Sequence, residues 1–186
     1  KSTQTKEIAL RFNLKVVDLD IDSHLKDNFP SLNIEKVDEN KMIPLYDNVV
    51  YDFPAGDIFT KFPNTNEILK ECDLIIIPTL YAPESVDRAI ATYNNIKKVN
   101  ENILFILAQS RDEDSAKDVA GFIEDTVGDE IVIHSIRYSV GMENAETQGV
   151  SIYDIAKKSS KLIKRKYDNG IIKDYEELFK IIREVL

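Results

Sequence analysis

One strand-and-loop segment governs the interpretation of this sequence, Asn48-Val49-Val50-Tyr51-Asp52-Phe53-Pro54-Ala55-Gly56-Asp57. Two valines and a tyrosine run directly into an aspartate, which is typical of a buried strand that ends in a tight loop. Ligands of open α/β sheets bind at the carboxyl ends of strands, so Asp52 could hold Mg²⁺ or its water shell. Gly56 would let backbone N–H groups approach a phosphate. An aspartate that only begins a turn would fit the same pattern. The other motifs of the chain are needed to choose between these two interpretations.

The composition is that of one soluble globular domain. The chain has 186 residues, 43% hydrophobic and 31% charged, with a net charge of -9. No apolar run approaches the ~18–20 residues that cross a membrane, and no signal peptide is apparent. The single cysteine, Cys72, excludes an internal disulfide and a Cys-x-x-Cys metal site. We therefore expect a cytoplasmic protein, and any contact with nucleic acid would need a local basic patch.

Strand and helix patterns alternate along the chain. Five strands are predicted, at residues 15–19, 48–52, 74–78, 103–107 and 131–136. Helices are predicted at residues 6–12, 64–72, 83–99, 114–127, 151–167 and 174–186. Residues 23–44 are predicted to be a loop with at most one short hairpin or helix. This order predicts a single α/β domain over residues 1–186, with a mostly parallel sheet and helices on both faces.

Three motifs suited to phosphate or Mg²⁺ binding lie beside these elements. Lys1-Ser2-Thr3 precedes the first helix, Asp18-Leu19-Asp20-Ile21-Asp22 follows the first strand, and Asp52-Phe53-Pro54-Ala55-Gly56 follows the next. Ser2 or Thr3 would suit a helix N-terminus, where free N–H groups and the dipole favour anions. The order of the motifs resembles the ParA/MinD family of deviant Walker A ATPases, within the P-loop NTPases.

The resemblance extends over nearly the whole chain, with two departures. The family has a strand and a Lys-Gly-Gly-x-Gly loop before Lys-Ser-Thr, so the resemblance implies that the chain starts inside the phosphate loop. Its Asp-x-Asp-Pro-Gln motif is represented by Asp18-Leu19-Asp20 without the Pro-Gln pair, whereas Asp-x-Pro-Ala-Gly is matched from Asp52 to Gly56. Pro83-Glu84-Ser85 and residues 136–152 also look like family segments. The implied fold is a three-layer P-loop NTPase-like domain.

For the opening residues the resemblance implies nucleotide contacts. Lys1 would reach the β- and γ-phosphates as a point charge and take part in catalysis. Ser2 would place its hydroxyl on Mg²⁺, and Thr3 would join the nucleotide site. The alternatives remain open, since Lys1 could be a solvated terminal lysine and Ser2 a helix N-cap.

For the later motifs the resemblance implies catalytic, metal and base contacts. Asp20 would orient or activate the attacking water, which requires hydrogen-bond reach, and Asp52 would hold Mg²⁺ through water. Gly56 would lend its N–H to the γ-phosphate and let the loop move when phosphate leaves. Gln109 would lie near adenine. The alternatives are that Asp20 is a loop carboxylate and Asp52 a structural aspartate. Gly56 could likewise be a plain turn glycine, and Gln109 a surface amide.

A basic cluster lies in the predicted helix 151–167 and consists of Lys157, Lys158, Lys161, Lys164, Arg165 and Lys166. At about 100° per residue, one broad face opposite Ile155 and Leu162 is formed by Lys157, Lys158, Lys161, Lys164 and Arg165. A basic face on an acidic protein can contact DNA phosphates without reading sequence. ParA-type proteins bind DNA in this way as ATP-bound dimers, but a solvated helix face is the alternative.

The resemblance thus implies an ATP-dependent dimerising switch of plasmid or chromosome partition. Such a switch hydrolyses ATP with Mg²⁺, binds DNA non-specifically at the nucleoid and responds to a centromere-binding partner protein. A chain that starts inside the phosphate loop is expected to hydrolyse ATP weakly or not at all. The alternatives are a nucleotide-free scaffold of the same fold and a MinD-like membrane-associated ATPase. The predicted last helix mixes Glu with Lys and Arg on its polar face, so we expect it to dock on the domain.

Overall fold

The computed structural model describes residues 2–110, 112–128 and 131–186, and this part of the chain forms six strands and nine helices. Their order is α1 Ser2–Phe12, β1 Lys15–Asp18, α2 Leu25–Asn28, β2 Ile34–Lys36, β3 Val49–Asp52, α3 Thr65–Glu71, β4 Ile75–Thr79, α4 Pro83–Ile96, β5 Ile103–Ser110, α5 Glu113–Val127, β6 Val132–Arg137, α6 Val140–Thr147, α7 Ile152–Lys158, α8 Lys161–Asp168 and α9 Ile171–Val185.

The strands form two three-stranded sheets, with the orders β2-β1-β3 and β4-β5-β6. Every strand pair is parallel, which confirms the expected α/β class with parallel strands. Backbone contacts divide the chain into two compact units. The first unit runs to Ile68 and includes Val140–Ser160, and the second comprises Leu69–Ser139 and Lys161–Leu186. Each unit contains one of the sheets.

The core of the first unit lies between α1 and one face of its sheet. Ala9 of α1 packs with Val16, Leu25 and Phe29, and all four side chains are buried. Strand side chains alternate between the two faces, so Asp18 lies on the same face as Val16. The apolar surface under α1 therefore ends in a carboxylate at the carboxyl end of β1.

The second unit is built on β5, whose residues from Ile103 to Ala108 are all buried. Helix α9 packs against β6 through a buried apolar face that includes Leu178 and Phe179. Asp174 in its first turn accepts Arg137 Nε at 2.7 Å and Nη2 at 2.8 Å. This pair raises the pKa of Arg137. The expectation that the last helix docks on the protein is confirmed within this unit.

Four features differ from the sequence-based predictions because local patterns were weak. Helix α1 begins at Ser2 rather than at residue 6, since polar residues occupy its buried first turns. Strand β2 has three residues, too few for a visible alternation, and it falls in the predicted loop. Helix α6 was not predicted. The apolar spacing of the predicted helix 114–127 places Phe122 inward with Ile123, but Phe122 is 53% exposed.

The prediction of one helix over residues 151–167 is wrong. Helix α7 ends at Lys158, and α8 begins at Lys161. Ser159 between them is extended (φ -81°, ψ 156°), and its hydroxyl donates to the Ile155 carbonyl at 2.8 Å. Serine side chains compete for backbone partners in this way and favour helix ends. Among the helices of the described chain, none is long and apolar enough to cross a membrane.

Candidate functional site

The carboxyl ends of β1 and β3 place two aspartates side by side. Asp18 and Asp52 are register partners in the parallel pair, and the Leu19 N–H donates to the Asp52 carbonyl at 3.0 Å. Both side chains are buried. Register partners of parallel strands point to the same face of the sheet, so both carboxylates lie on the face that α1 covers. The sheet thus carries two neighbouring negative groups at one edge.

The N-terminus of α1 meets this pair. The Ser2 hydroxyl donates to Asp52 Oδ2 at 3.3 Å, which brings two of the predicted site residues together. Helix α1 has no acidic residue in its first turn. Its free N–H groups and its dipole therefore favour an anion at this end. A hydroxyl, two carboxylates and a helix N-terminus consequently share one region of the first unit.

Asp18 is the site residue that the sequence analysis left without a role. Its Oδ1 accepts the Asp20 N–H at 3.1 Å, whereas Oδ2 is buried and has no hydrogen-bond partner in the described chain. An unsatisfied buried carboxylate oxygen is costly, so such an atom points to a missing cation or water. The signal available in the sequence was the alternation from Val16, which puts Asp18 on the α1 face.

The oxygen atoms at this edge fit Mg²⁺. Carboxylate and hydroxyl oxygens are its preferred protein ligands, and it usually keeps several waters. No group of three or more His, Cys, Asp or Glu side chains that could hold a metal occurs in residues 2–110, 112–128 and 131–186. A magnesium ion here would therefore take few protein ligands and complete its shell with water and phosphate oxygens.

Asp20 lies in the loop directly after β1, at the same edge. Its backbone is held by Asp18, and its own Oδ1 accepts the Asp22 N–H at 3.2 Å. The second contact is the turn-forming role expected of a loop carboxylate. The role of Asp20 toward the attacking water stays a prediction. Asp20 lies at the same sheet edge as Asp18 and Asp52.

Gly56 lies in the loop that follows β3. Its φ of +96° favours glycine, while a Cβ at this position would meet no atom within 4 Å. The glycine is therefore required by the backbone conformation and not by close packing. Phe53 and Phe62 pack edge to face at 6.3 Å and anchor the first part of this loop. The predicted contact of the Gly56 N–H with phosphate stays a prediction.

Gln109 belongs to the second unit and has a strained backbone. Its φ is +63°, and it sits at an irregularity of the β5–β6 pairing between Ala108 and Ser110. Non-glycine residues rarely adopt positive φ, and such strain clusters at functional sites. The predicted adenine contact of Gln109 stays a prediction. The predicted roles of Lys1 concern a residue outside the described part of the chain.

The basic cluster is divided between two helices. Lys157 and Lys158 belong to α7 in the first unit, and the other members, Lys161, Lys164, Arg165 and Lys166, belong to α8 in the second. Ile155 is buried as expected, but Leu162 is 71% exposed, so it does not face a core. Helix α8 buries none of its residues and presents Lys161, Arg165 and Lys166 to solvent.

Comparison with known proteins identifies the fold. No protein-family model matches the sequence, and no curated protein matches it significantly. A solved structure described as a ParA family ATPase from Chlorobium tepidum TLS is similar, with a TM-score of 0.52 and 15% sequence identity. The similarity covers 85% of this chain and 86% of that chain. A likeness at this identity establishes architecture alone, and the chain therefore shares the α/β fold of that structure.

Proposed function

We propose that the protein is a nucleotide-dependent switch that binds and hydrolyses ATP with Mg²⁺ at the N-terminus of α1. The observation that carries this proposal is the contact of Ser2 with Asp52 beside the unsatisfied Oδ2 of Asp18. Hydrolysis of a phosphoanhydride needs a cation for the phosphate charge and a carboxylate that positions water. The neighbouring strand ends carry ligands for such a cation and a carboxylate for the water, at the edge where ligands of such folds bind.

The chain's own residues would divide the work as follows. Ser2, Asp18 and Asp52 would hold the magnesium ion, Ser2 directly and the aspartates through water. Thr3 and the first N–H groups of α1 would bind phosphate oxygens. Magnesium supplies charge neutralisation of the phosphates when bound. Asp20 would accept a proton from, or orient, the attacking water, and the Gly56 loop would respond to loss of the γ-phosphate.

The Asp52→Asn variant tests the metal part of this proposal. Asparagine keeps the size and an acceptor for Ser2 but removes the charge, so the affinity for ATP in Mg²⁺ should fall about tenfold, or about 1.4 kcal/mol. The affinity for ATP in EDTA should not fall, because neutralising Asp52 removes a like charge near the phosphates. Isothermal calorimetry in both buffers measures this, with Asp57→Asn as the control from the same loop. Absence of ATP binding by the wild-type protein would refute the proposal.

The exposed basic side chains of α8 support a partition-type role for this switch. We propose that the ATP-bound protein dimerises and holds DNA non-specifically through the cations of α8, which lie on an otherwise acidic chain. A centromere-binding partner would stimulate hydrolysis and release DNA, and the protein would act in the cytoplasm on the nucleoid. The alternatives, a nucleotide-free scaffold and a membrane-associated ATPase, predict no DNA retention.

Reversing three charges of α8 tests the DNA contact. The variant Lys161→Glu, Lys164→Glu and Arg165→Glu should weaken DNA retention equally for all sequences, because phosphate contacts carry no sequence information. The slope of log affinity against log salt should fall by about 0.9 for each phosphate contact removed. A filter assay at several salt concentrations gives both values. The matched control reverses the charges of Lys70, Lys98 and Lys117. Equal losses of DNA retention in both triple variants would contradict a DNA-binding surface on α8.

A further inference from the structure

The N-terminus of α1 already has an acidic side chain beside it, although none comes from its own first turn. The Thr3 hydroxyl donates to Oε1 of Glu146, which lies in the last turn of α6. The two residues are separated by 143 positions in the sequence. A carboxylate at this place satisfies the helix dipole, which also favours a bound phosphate. Glu146 and a phosphate would therefore compete for one electrostatic position.

The backbone that carries Glu146 is held firmly to α1. Directly after α6, the Val150 carbonyl accepts Lys6 Nζ at 3.1 Å, and Glu7 Oε2 accepts the Ser151 hydroxyl at 2.8 Å. Gly149, directly before Val150, has a φ of +64°, and a Cβ built on it would lie 2.3 Å from the Asn28 carbonyl oxygen. The main chain thus has little freedom here, whereas the Glu146 side chain is exposed. The Glu146 side chain, rather than the main chain, can therefore swing away from Thr3 when a ligand arrives.

We infer that Glu146 is a built-in anionic competitor that lowers the affinity of the α1 N-terminus in proportion to the negative charge of its ligand. The inference rests on the proposed nucleotide site. Asp18 and Asp52 already make the region negative, and Glu146 adds a third carboxylate next to the phosphate position. Coulomb energy scales with the product of the charges, so free ATP is penalised more than its magnesium complex. Glu146 thereby makes the site selective for metal-complexed nucleotide.

The Glu146→Gln variant tests this inference by calorimetry. Glutamine keeps an acceptor for Thr3, and because the side chain is exposed the fold is not at risk. The affinity for ATP in EDTA should rise about tenfold, since one like charge is removed close to the ligand. The affinity for ATP in saturating Mg²⁺ should rise only about threefold, because the magnesium ion cancels about half of the ligand's charge. The ratio of the affinity in Mg²⁺ to the affinity in EDTA should therefore be smaller than in the wild-type protein.

The control is Glu143→Gln, which removes the same charge one turn earlier on α6 and should leave both affinities unchanged within about twofold. An equal change in the affinity of Glu146→Gln for ATP in EDTA and in Mg²⁺ would indicate a structural role for Glu146. That result would overturn the inference that Glu146 is a competitor. Unchanged affinities for Glu146→Gln, in a protein that binds ATP, would overturn it as well while leaving the proposed function intact. Absence of ATP binding by the wild-type protein would overturn both.

Discussion

The Glu7→Gln variant is expected to lower the free energy of unfolding by about 3–5 kcal/mol, because it leaves the Lys6 ammonium buried without its counter-charge. Lys6 Nζ lies 2.9 Å from Glu7 Oε1, and both side chains are fully buried. Adjacent residues of a helix do not normally face each other. These two meet because both reach the connection between α6 and α7, where Glu7 Oε1 also accepts the Ile152 N–H at 3.1 Å.

Urea denaturation measures this loss of unfolding free energy, and two further variants serve as controls. Glu177→Gln removes the exposed partner of Lys173 at 3.6 Å and should leave stability almost unchanged. Lys6→Met combined with Glu7→Gln removes the orphaned charge and should recover at least half of the loss. A cost below about 1 kcal/mol for Glu7→Gln would contradict the account of this pair.

The same residues show where sequence reasoning stopped. Strands such as β4 and β5 were predicted because apolar runs bounded by proline or polar residues identify buried strands. Helix α1 was predicted to begin at residue 6 because the buried residues before it, Gln4 and Thr5, are polar and carry no apolar signal. Lys6 and Glu7 are also buried, as an ion pair. Only the distant partners at Val150 and Ser151 explain this burial, and no local pattern contains them.

The candidate site shows a similar division. Asp20 and Asp52 were singled out because motifs place them at strand ends, and the parallel register then brings those ends together. Asp18 was passed over, since the spacing of three aspartates does not tell which one is buried. Glu146 could not be found at all, because its contact with Thr3 joins residues that are 143 positions apart in the sequence. A basic cluster was visible as composition, but its division at Ser159 and Ser160 depends on backbone conformation.

Asp20→Asn separates the catalytic role of this carboxylate from its role in the turn. In the full-length protein, we expect the variant to bind ATP with Mg²⁺ as the wild type does and to hydrolyse it about 10²–10⁴-fold more slowly, because only proton acceptance by a positioned side chain is removed. Asparagine keeps an acceptor for the Asp22 N–H, the contact that Asp20 makes at 3.2 Å. The loop should therefore retain its conformation, and any loss of turnover reports on the charge.

Single-turnover phosphate release and calorimetry on the same samples measure the two effects. Asp20→Ala removes both the charge and the turn contact, and it should lose turnover to the same extent while still binding ATP. Asp22→Asn is the matched control, because it neutralises the next carboxylate of the loop and should keep full activity. Retained hydrolysis in Asp20→Asn together with its loss in Asp20→Ala would show that Asp20 shapes the loop. The attacking water would then need another acceptor, and Asp18, buried two residues earlier with an unsatisfied oxygen, would be the next residue to test.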